Sequence, residues 1–432
     1  MQALEKLRRF GLWYLLPLAA QKKEFSAKGC MKALVLTGGA GRTLVPFSAT
    51  RPKAMTVVAG GSLLRRTLQH LREAGITDVT VVVGQHGHVV EQTFGDGSAI
   101  GLNLTYVRQE RAQGIADAIL QARSKFMPGE YFVLVYGDVV TSGNPFLQLL
   151  QSFNTFKSPI AGVCLPGPPT GRYGNVYLSG TRITQIVEKP RTPGLGNYVL
   201  SGFFVLPTEL FSWVQEAGGA MERVFDRLTT SVGVHASIWE EGWIDVEYPW
   251  DVLAANRMVM DTWEEARISR DAKLDNNVTI VGPVRIEAGS TIRAGAVLAG
   301  PCYIGRDCYI GNNVLVRSYS SLGPSSTVGY GVELKNCVVF GRARIGRLSF
   351  IGDSVVGEEV DIGSGTMTVN ETMDRQPIAV EIRGTRIDSG LRKLGSFIGD
   401  RAKIGAGNTL AAGTIVDAGA IIEHHTTVPR RE

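Results

Sequence analysis

Two different periods of apolar residues divide the chain. From Lys32 to about Met260, short apolar runs alternate with segments that are apolar on one side only. Ala33-Leu34-Val35-Leu36 predicts a short buried strand, followed by the loop Thr37-Gly38-Gly39-Ala40-Gly41. Ser62 to Ala74 predicts an amphipathic helix, and Val79 to Val83 and Tyr131 to Tyr136 predict further strands. Strand, glycine loop, helix, strand is the rhythm of an α/β domain with a mostly parallel, Rossmann-like sheet covered by helices. Ligands of such sheets bind beyond the carboxyl ends of the strands. Gly38-Gly39 and Asp138 each follow directly after a predicted strand, so both are expected at that edge.

The second half repeats every six residues. Apolar side chains stand at Ile280, Ile286, Ile292, Leu298, Ile304, Ile310, Val316, Leu322, Val328, Leu334 and Phe340. The phase then slips and resumes at Ile345 and Ile351, then at Val356 and Ile362. A last run holds Ile398, Ile404, Leu410, Val416, Ile422 and Val428. This period suits neither a helix nor a simple alternating strand. It predicts an all-β hexapeptide-repeat parallel β-helix, in which each apolar residue points into a stacked core and the frequent following glycine permits the corner. Between Asn370 and Leu394 the pattern lapses, which predicts a loop leaving the coil. Residues from about Asp261 to Asn277 read as a short connection. The division expected is therefore residues 31–262 and 263–432.

A chain of 432 residues is long enough for two such domains. The net charge of +5 is small for that length, and no basic run is interleaved with aromatics, so a nucleic-acid partner is not expected. The five cysteines are scattered without a CxxC pair, which argues against a disulfide framework and for a reducing, cytoplasmic setting. Lys6, Arg8 and Arg9 precede an apolar run from Gly11 to Ala20 that is too short to span a bilayer. Because Met31 opens directly into a strand, residues 1–30 are read as a disordered extension or a misassigned start, and no membrane partner is expected.

The loop from Leu36 to Leu44 exposes backbone N–H groups that can cradle phosphate. It is not a Walker loop, since no Gly-Lys-Ser/Thr ends it, and Leu44 replaces the third glycine of a dinucleotide fingerprint. No acidic ribose partner follows about twenty residues on, which disfavours a nicotinamide dehydrogenase. Arg51-Pro52-Lys53 adds two cations. Amides for oxygens and fixed charge for a leaving pyrophosphate are what a polyphosphate requires.

These residues resemble the opening signature of the sugar-1-phosphate nucleotidylyltransferases: a glycine-rich loop, Gly-Thr-Arg-Leu, then Pro-Lys. Later segments agree in order. Gln109 followed by Gly114-Ile115-Ala116 resembles the base-recognition segment, and Tyr136-Gly137-Asp138 the strand-end aspartate. Tyr173-Gly174-Asn175-Val176, Glu188-Lys189-Pro190, Ser201-Gly202 and Trp243-Ile244-Asp245 resemble the sugar, phosphate and metal segments. With its repetitive tail the chain resembles the family's long forms, whose β-helix is left-handed.

The resemblance implies a transfer of UMP or dTMP from UTP or dTTP to glucose 1-phosphate or a related hexose or N-acetylhexosamine 1-phosphate. Gly38, Gly39, Gly41, Gln109, Gly114 and Ile115 would hold the nucleotide. Gly137, Tyr173, Gly174, Glu188, Lys189 and Ser201 would hold the sugar phosphate. Arg42, Thr43 and Lys53 would stand at the reacting phosphates. Asp138 and Asp245 would bind Mg²⁺, a hard cation that takes one or two carboxylates plus phosphate oxygens. The β-helix implies a homo-oligomer, a trimer or higher.

Two positions depart from the family pattern. Gly41-Arg42-Thr43-Leu44 exchanges the arginine and threonine, so Thr43 holds the family's arginine position. A non-catalytic regulatory subunit that senses nucleotide sugars is an alternative on that ground. In the tail, the family's acetyltransferase histidine position holds Arg347, and Phe350 replaces a tyrosine, although Asn370 and Lys393 match. Arginine stays protonated and cannot act as a base. The bifunctional transferase–acetyltransferase is thus the weaker alternative.

Overall fold

A computed structural model describes residues 31–111, 113–165, 172–188 and 198–429. The expectations for residues 1–30 and for Lys189 lie outside the described residues.

The first half is built on one nine-stranded sheet. Strand β1 (Lys32–Leu36) lies between β2 (Asp78–Val83) and β4 (Tyr131–Tyr136), with β3 (Asn103–Arg108) at the edge, all parallel. The long strand β9 (Tyr198–Pro207) pairs antiparallel with β4 and joins this part to a mixed half. That half holds β6 (Ile160–Cys164), β7 (Asn175–Ser179), β8 (Arg182–Val187) and β10 (His235–Trp239). Helix α1 (Leu63–Glu73) starts where Ser62 accepts the Arg65 N–H as an N-cap, and it buries Leu64, Leu68 and Leu71 against one face of the sheet. Helices α2 (Gly87–Phe94) and α4 (Pro145–Phe156) pack on the same side as α1, while α3 (Ile115–Gln121), α5 (Leu210–Glu216) and α6 (Met221–Arg227) cover the other face. A short ribbon, β5 (Val139–Thr141) with β11 (Trp243–Asp245), crosses the carboxyl end of β4 and leads into the last helix, α7 (Pro249–Met260).

The second half consists of three eight-stranded parallel sheets whose strands follow in rotation, as a β-helix requires. Ile292, Ile310, Val328, Ile345 and their equivalents fill a single dry core. Phe340 is an exception. Val339, one residue earlier, pairs with Leu322 and occupies the core, while Phe340 points outward. The one-residue shortening therefore falls between Leu334 and Val339, before Phe340 and not after it. The coil also begins earlier than the weak pattern suggested. Ile268 and Leu274 continue the sixfold phase of Ile280, and their strands already pair with the coil's next turn although both side chains are exposed at its open end. The segment expected as a loop contains a hairpin, Ala379–Ile382 with Thr385–Asp388. Ile378, Val380 and Ile382 join α7, Phe47 and Phe340 in a shared apolar layer between the halves. Asn256 of α7 ties that layer together, accepting the Ala59 N–H at 2.8 Å and donating to Tyr319 O at 2.7 Å. Among the described residues no helix is long and apolar enough to cross a membrane.

Candidate active site

The parallel strands deliver their loops to one edge, and the predicted residues meet there. Thr37 closes β1 by donating its hydroxyl to Val82 O at 2.6 Å. Gly38 then passes so close to the Gln109 side chain that a Cβ on it would lie 2.4 Å from Gln109 Oε1. A larger residue there would have to displace the Gln109 amide. Gly39 faces open space, and Gly41 turns at φ +56 above Lys53. Gln109 is buried and oriented: its Nε2 donates to Gly114 O at 3.1 Å and to Asp117 Oδ2 at 2.7 Å. Ile115 is exposed at the start of α3.

Lys53 opens a short 3-10 turn, Lys53–Met55. Its Nζ stands 2.8 Å from Asp138 Oδ2 and 3.3 Å from Asp245 Oδ1. The aspartates are brought together by the ribbon, in which Asp245 pairs with Val139 and the Val246 N–H donates to Asp138 O at 3.1 Å. Burial disfavours the Lys53 charge, but the two carboxylates outweigh it and hold the ammonium above its ordinary range. Asp245 behaves oppositely. Burial and then repulsion by Asp138 push its carboxyl up to about 6, although Lys53 pulls the other way. The site therefore carries an excess of carboxylate that one lysine does not neutralise.

The residues expected on the sugar side border this pair. Tyr173 packs edge-on to Trp243 at 5.2 Å, and Trp243 Nε1 donates to Ser201 O at 2.8 Å. Ser201 Oγ is buried without a hydrogen-bond partner among the described residues. Gly174 O accepts the Leu200 N–H, and a Cβ at Gly174 would meet Glu188 Oε2 at 2.9 Å. Tyr136, next to Gly137, is half-buried, and its phenol is raised by burial and then by the nearby charges of Glu188 and Asp138. Glu188 and Asp138 thus both lie near the Tyr136 phenol.

A family model described as nucleotidyl transferase matches residues 32–261. The chain belongs to the nucleotidyl transferase family. This nucleotidyltransferase also matches, over residues 298–386, a model described as the GMPPB C-terminal domain. It is 31% identical over 409 residues to the bifunctional sugar-1-phosphate nucleotidylyltransferase/acetyltransferase of Sulfurisphaera tokodaii, covering 93% of this chain and 98% of that protein. It is 32% identical over 401 residues to the bifunctional protein GlmU of Methanococcus maripaludis, covering 91% and 93%. Against the low-salt glycan biosynthesis nucleotidyltransferase Agl11 of Haloferax volcanii it is 34% identical over 344 residues, covering 77% and 94%.

The nucleotidyltransferase departs from its sequence reading at the arginines. Arg51 does not join Lys53 at the phosphate loop. It turns to the β-helix, where Nη2 meets Glu358 Oε2 at 3.0 Å, Nε meets Asp400 Oδ2 at 3.2 Å, and the guanidinium lies 4.9 Å from the Phe340 ring. Arg42 is exposed and makes no ion pair among the described residues, and Thr43 is half-buried beside it. Several residues that support the site carried no motif. Arg172 bonds Glu247 at 3.1 Å and Asp251 at 2.9 Å, tying the Tyr173 segment to the turn after Asp245. Asp117 was legible only as a first-turn acid of α3, and nothing in the sequence links it to Gln109.

Proposed function

We propose that this nucleotidyltransferase is a sugar-1-phosphate nucleotidylyltransferase that moves UMP or dTMP from UTP or dTTP to glucose 1-phosphate or a related hexose 1-phosphate. The observation that carries the reading is the Lys53 ammonium held between Asp138 and Asp245, beside the glycine loop that follows the first strand. The names of the relatives from Sulfurisphaera and Haloferax point the same way.

The two carboxylates form an all-oxygen donor pair, and Asp245 is raised by burial first and then by the repulsion of Asp138. Such a set fits Mg²⁺, which would be held by Asp138 and Asp245 and would supply positive charge to the triphosphate. The chain's own groups do the rest. Amides of Gly38, Gly39 and Gly41 receive phosphate oxygens. Gln109, fixed by Asp117, presents its remaining amide capacity to the base, and Gly114 with Ile115 borders it. Tyr173, Gly174, Glu188 and Ser201 hold the sugar, Gly137 lets it approach, and Lys189 completes the cationic contacts to its phosphate. An oxygen of the sugar phosphate attacks the α-phosphorus, the bond to the bridging β-oxygen breaks, and pyrophosphate leaves with that electron pair. Lys53 stabilises the charge that develops at the α-phosphate, with Arg42 or Thr43 at the loop's outer side. No protein nucleophile is needed, since positioning and electrostatics carry such a reaction.

Pyrophosphate release, measured with a panel of sugar 1-phosphates against UTP and dTTP, tests the reading. Turnover with one hexose 1-phosphate and one pyrimidine triphosphate is the expected result. Tight binding of a nucleotide sugar with no turnover for any pair would favour the regulatory subunit instead, a reading that the exposed Arg42 supports. We further propose that the coils pack side by side as a homotrimer, supported by the outward apolar side chains of Tyr330, Leu348 and Met367. The buried, unpaired Cys164, Cys302, Cys308 and Cys337 support a cytoplasmic setting.

A further inference from the structure

The loop that carries the phosphate-binding groups is seated on the β-helix. Phe47 is buried against Phe340, and Arg51 is only 11% exposed at its side chain. Asp400, 5% exposed, stands at a corner of the coil. One of its oxygens accepts Thr50 Oγ1 at 2.5 Å and Arg51 Nε at 3.2 Å, and the other accepts the Glu358 N–H at 2.8 Å. Glu358 in turn holds Arg51 at 3.0 Å and is itself paired with Arg342 at 3.0 Å.

Little slack separates this anchor from the site. Pro52 follows Arg51 with φ −62 in an extended conformation, and Lys53 then enters a turn closed by the Met55 N–H on Pro52 O at 2.8 Å. Moving Arg51 therefore moves the root of the Lys53 side chain. A displacement of about 1 Å at a reacting group can cost about a hundredfold in rate. An exposed ion pair would be a weak anchor. Here Asp400 is buried and Arg51 nearly so, the guanidinium meets two carboxylates, of which Glu358 is partly exposed, and the neighbouring hydroxyl of Thr50 is held as well.

We infer that Asp400, on the β-helix, is a positioning residue for nucleotidyl transfer: through Arg51 it sets where Lys53 presents its ammonium, an inference that rests on the role proposed above for Lys53. The coil is then part of the catalytic apparatus of the first half, with no contact to the reacting atoms.

The test uses the full chain. Asp400→Asn keeps the size of the side chain, and Arg51 retains Glu358, so folding should survive. With both substrates saturating, kcat should fall at least tenfold in Asp400→Asn and in Arg51→Met, while both KM values stay within about threefold. Arg51→Lys, which keeps the charge and loses the fork, should fall between. The double variant should be no slower than the slower single one, because both act through one contact. Arg344→Ala, which breaks an exposed ion pair to Asp361 elsewhere on the coil, should leave kcat unchanged. Folded variants with kcat within twofold of the parent, or losses that multiply in the double variant, overturn the inference alone. If Asp400→Asn does not fold, Arg51→Lys and Glu358→Gln decide by the same criteria. A parent protein that releases no pyrophosphate removes the proposed function first, and this inference with it.

Discussion

Lys53 donates to Asp138 at 2.8 Å, and that single contact joins the loop after the first strand to the loop after the fourth. The same ammonium reaches Asp245 from a third segment, so three distant stretches converge on one charge. Replacing Lys53 with Met should lower kcat for pyrophosphate release by about a hundredfold to a thousandfold, the range seen when one fixed electrostatic donor is removed from a reacting group. Lys53→Arg should recover part of it at most, since a planar fork does not replace a compact ammonium between two carboxylates. Steady-state kinetics with both substrates varied reads the result, and an unimpaired Lys53→Met would remove the lysine from the chemistry.

Asp245 makes the site sensitive to pH in a definite direction. Its carboxyl is raised to about 6 in the folded protein, so the folded state binds this proton more tightly than the unfolded chain does. On this group's account the protein carries a penalty above pH 6 that is relieved as the pH falls toward the ordinary carboxylate range. With chelator present, Asp245→Asn should therefore melt higher than the parent at pH 8, and the difference should shrink as the pH falls through about 6. Added Mg²⁺ should stabilise the parent at pH 8 and do so less at pH 5.5, where protons compete for the same oxygens. Thermal melts at the two pH values check both. An Asp245→Asn protein less stable than the parent at every pH would contradict the charge account.

How much of this was legible in the sequence depended on the range of the interaction. The sixfold spacing of Ile292, Ile310 and Val328 is a local rule repeated many times, so the coil could be read directly. The site residues could be ordered by motif, because each stands at a strand end or in a glycine loop. Arg51 could not. Next to Lys53 it has the composition of a phosphate contact, and its actual partners, Glu358 and Asp400, lie more than three hundred residues away. Phe340 misled for a related reason. An apolar residue at the expected phase looks like core, yet the coil shortens just before it and the ring faces Phe47 of the other half. Period alone does not tell an inward apolar residue from one that covers an interface.

The stacked core gives a stability prediction that separates inward from outward positions. Ile310 is fully buried, and its neighbours above and below in the stack are Ile292 and Val328. Ile310→Ala should cost about 2–5 kcal/mol, because parallel coils on both sides restrict collapse into the cavity. Tyr309, adjacent in sequence and 41% exposed, points outward. Tyr309→Ala should cost about 1 kcal/mol or less in a monomeric coil. Denaturant unfolding followed by circular dichroism distinguishes them, and equal losses would mean that Tyr309 is covered by another subunit.

The β-helix carries a polar cluster at the segment around Phe350 and Asn370 that resembles the family's acetyltransferase segment. Asp353 accepts Lys335 at 2.9 Å, Asn336 at 2.7 Å and Asn370 at 2.6 Å, so the cluster is closed on itself. Deprotonating an amine for attack on a thioester needs a base poised near neutrality. Arg347 precedes Phe350 in this turn and cannot serve. The histidines of the coil, His424 and His425, stand in its last turn, near the strand Thr427–Val428. That strand is three steps from Phe350 along its sheet, about 14 Å at the usual strand spacing. His424 Nδ1 also accepts the Ala406 N–H at 2.8 Å. The expected outcome is no acetyl-coenzyme A consumption above background with glucosamine or galactosamine 1-phosphate, followed by thiol release. Arg347→His should not restore it fully, because Phe350 still lacks a hydroxyl beside Asn370. Robust turnover by the parent protein would show that another group in the coil takes the proton.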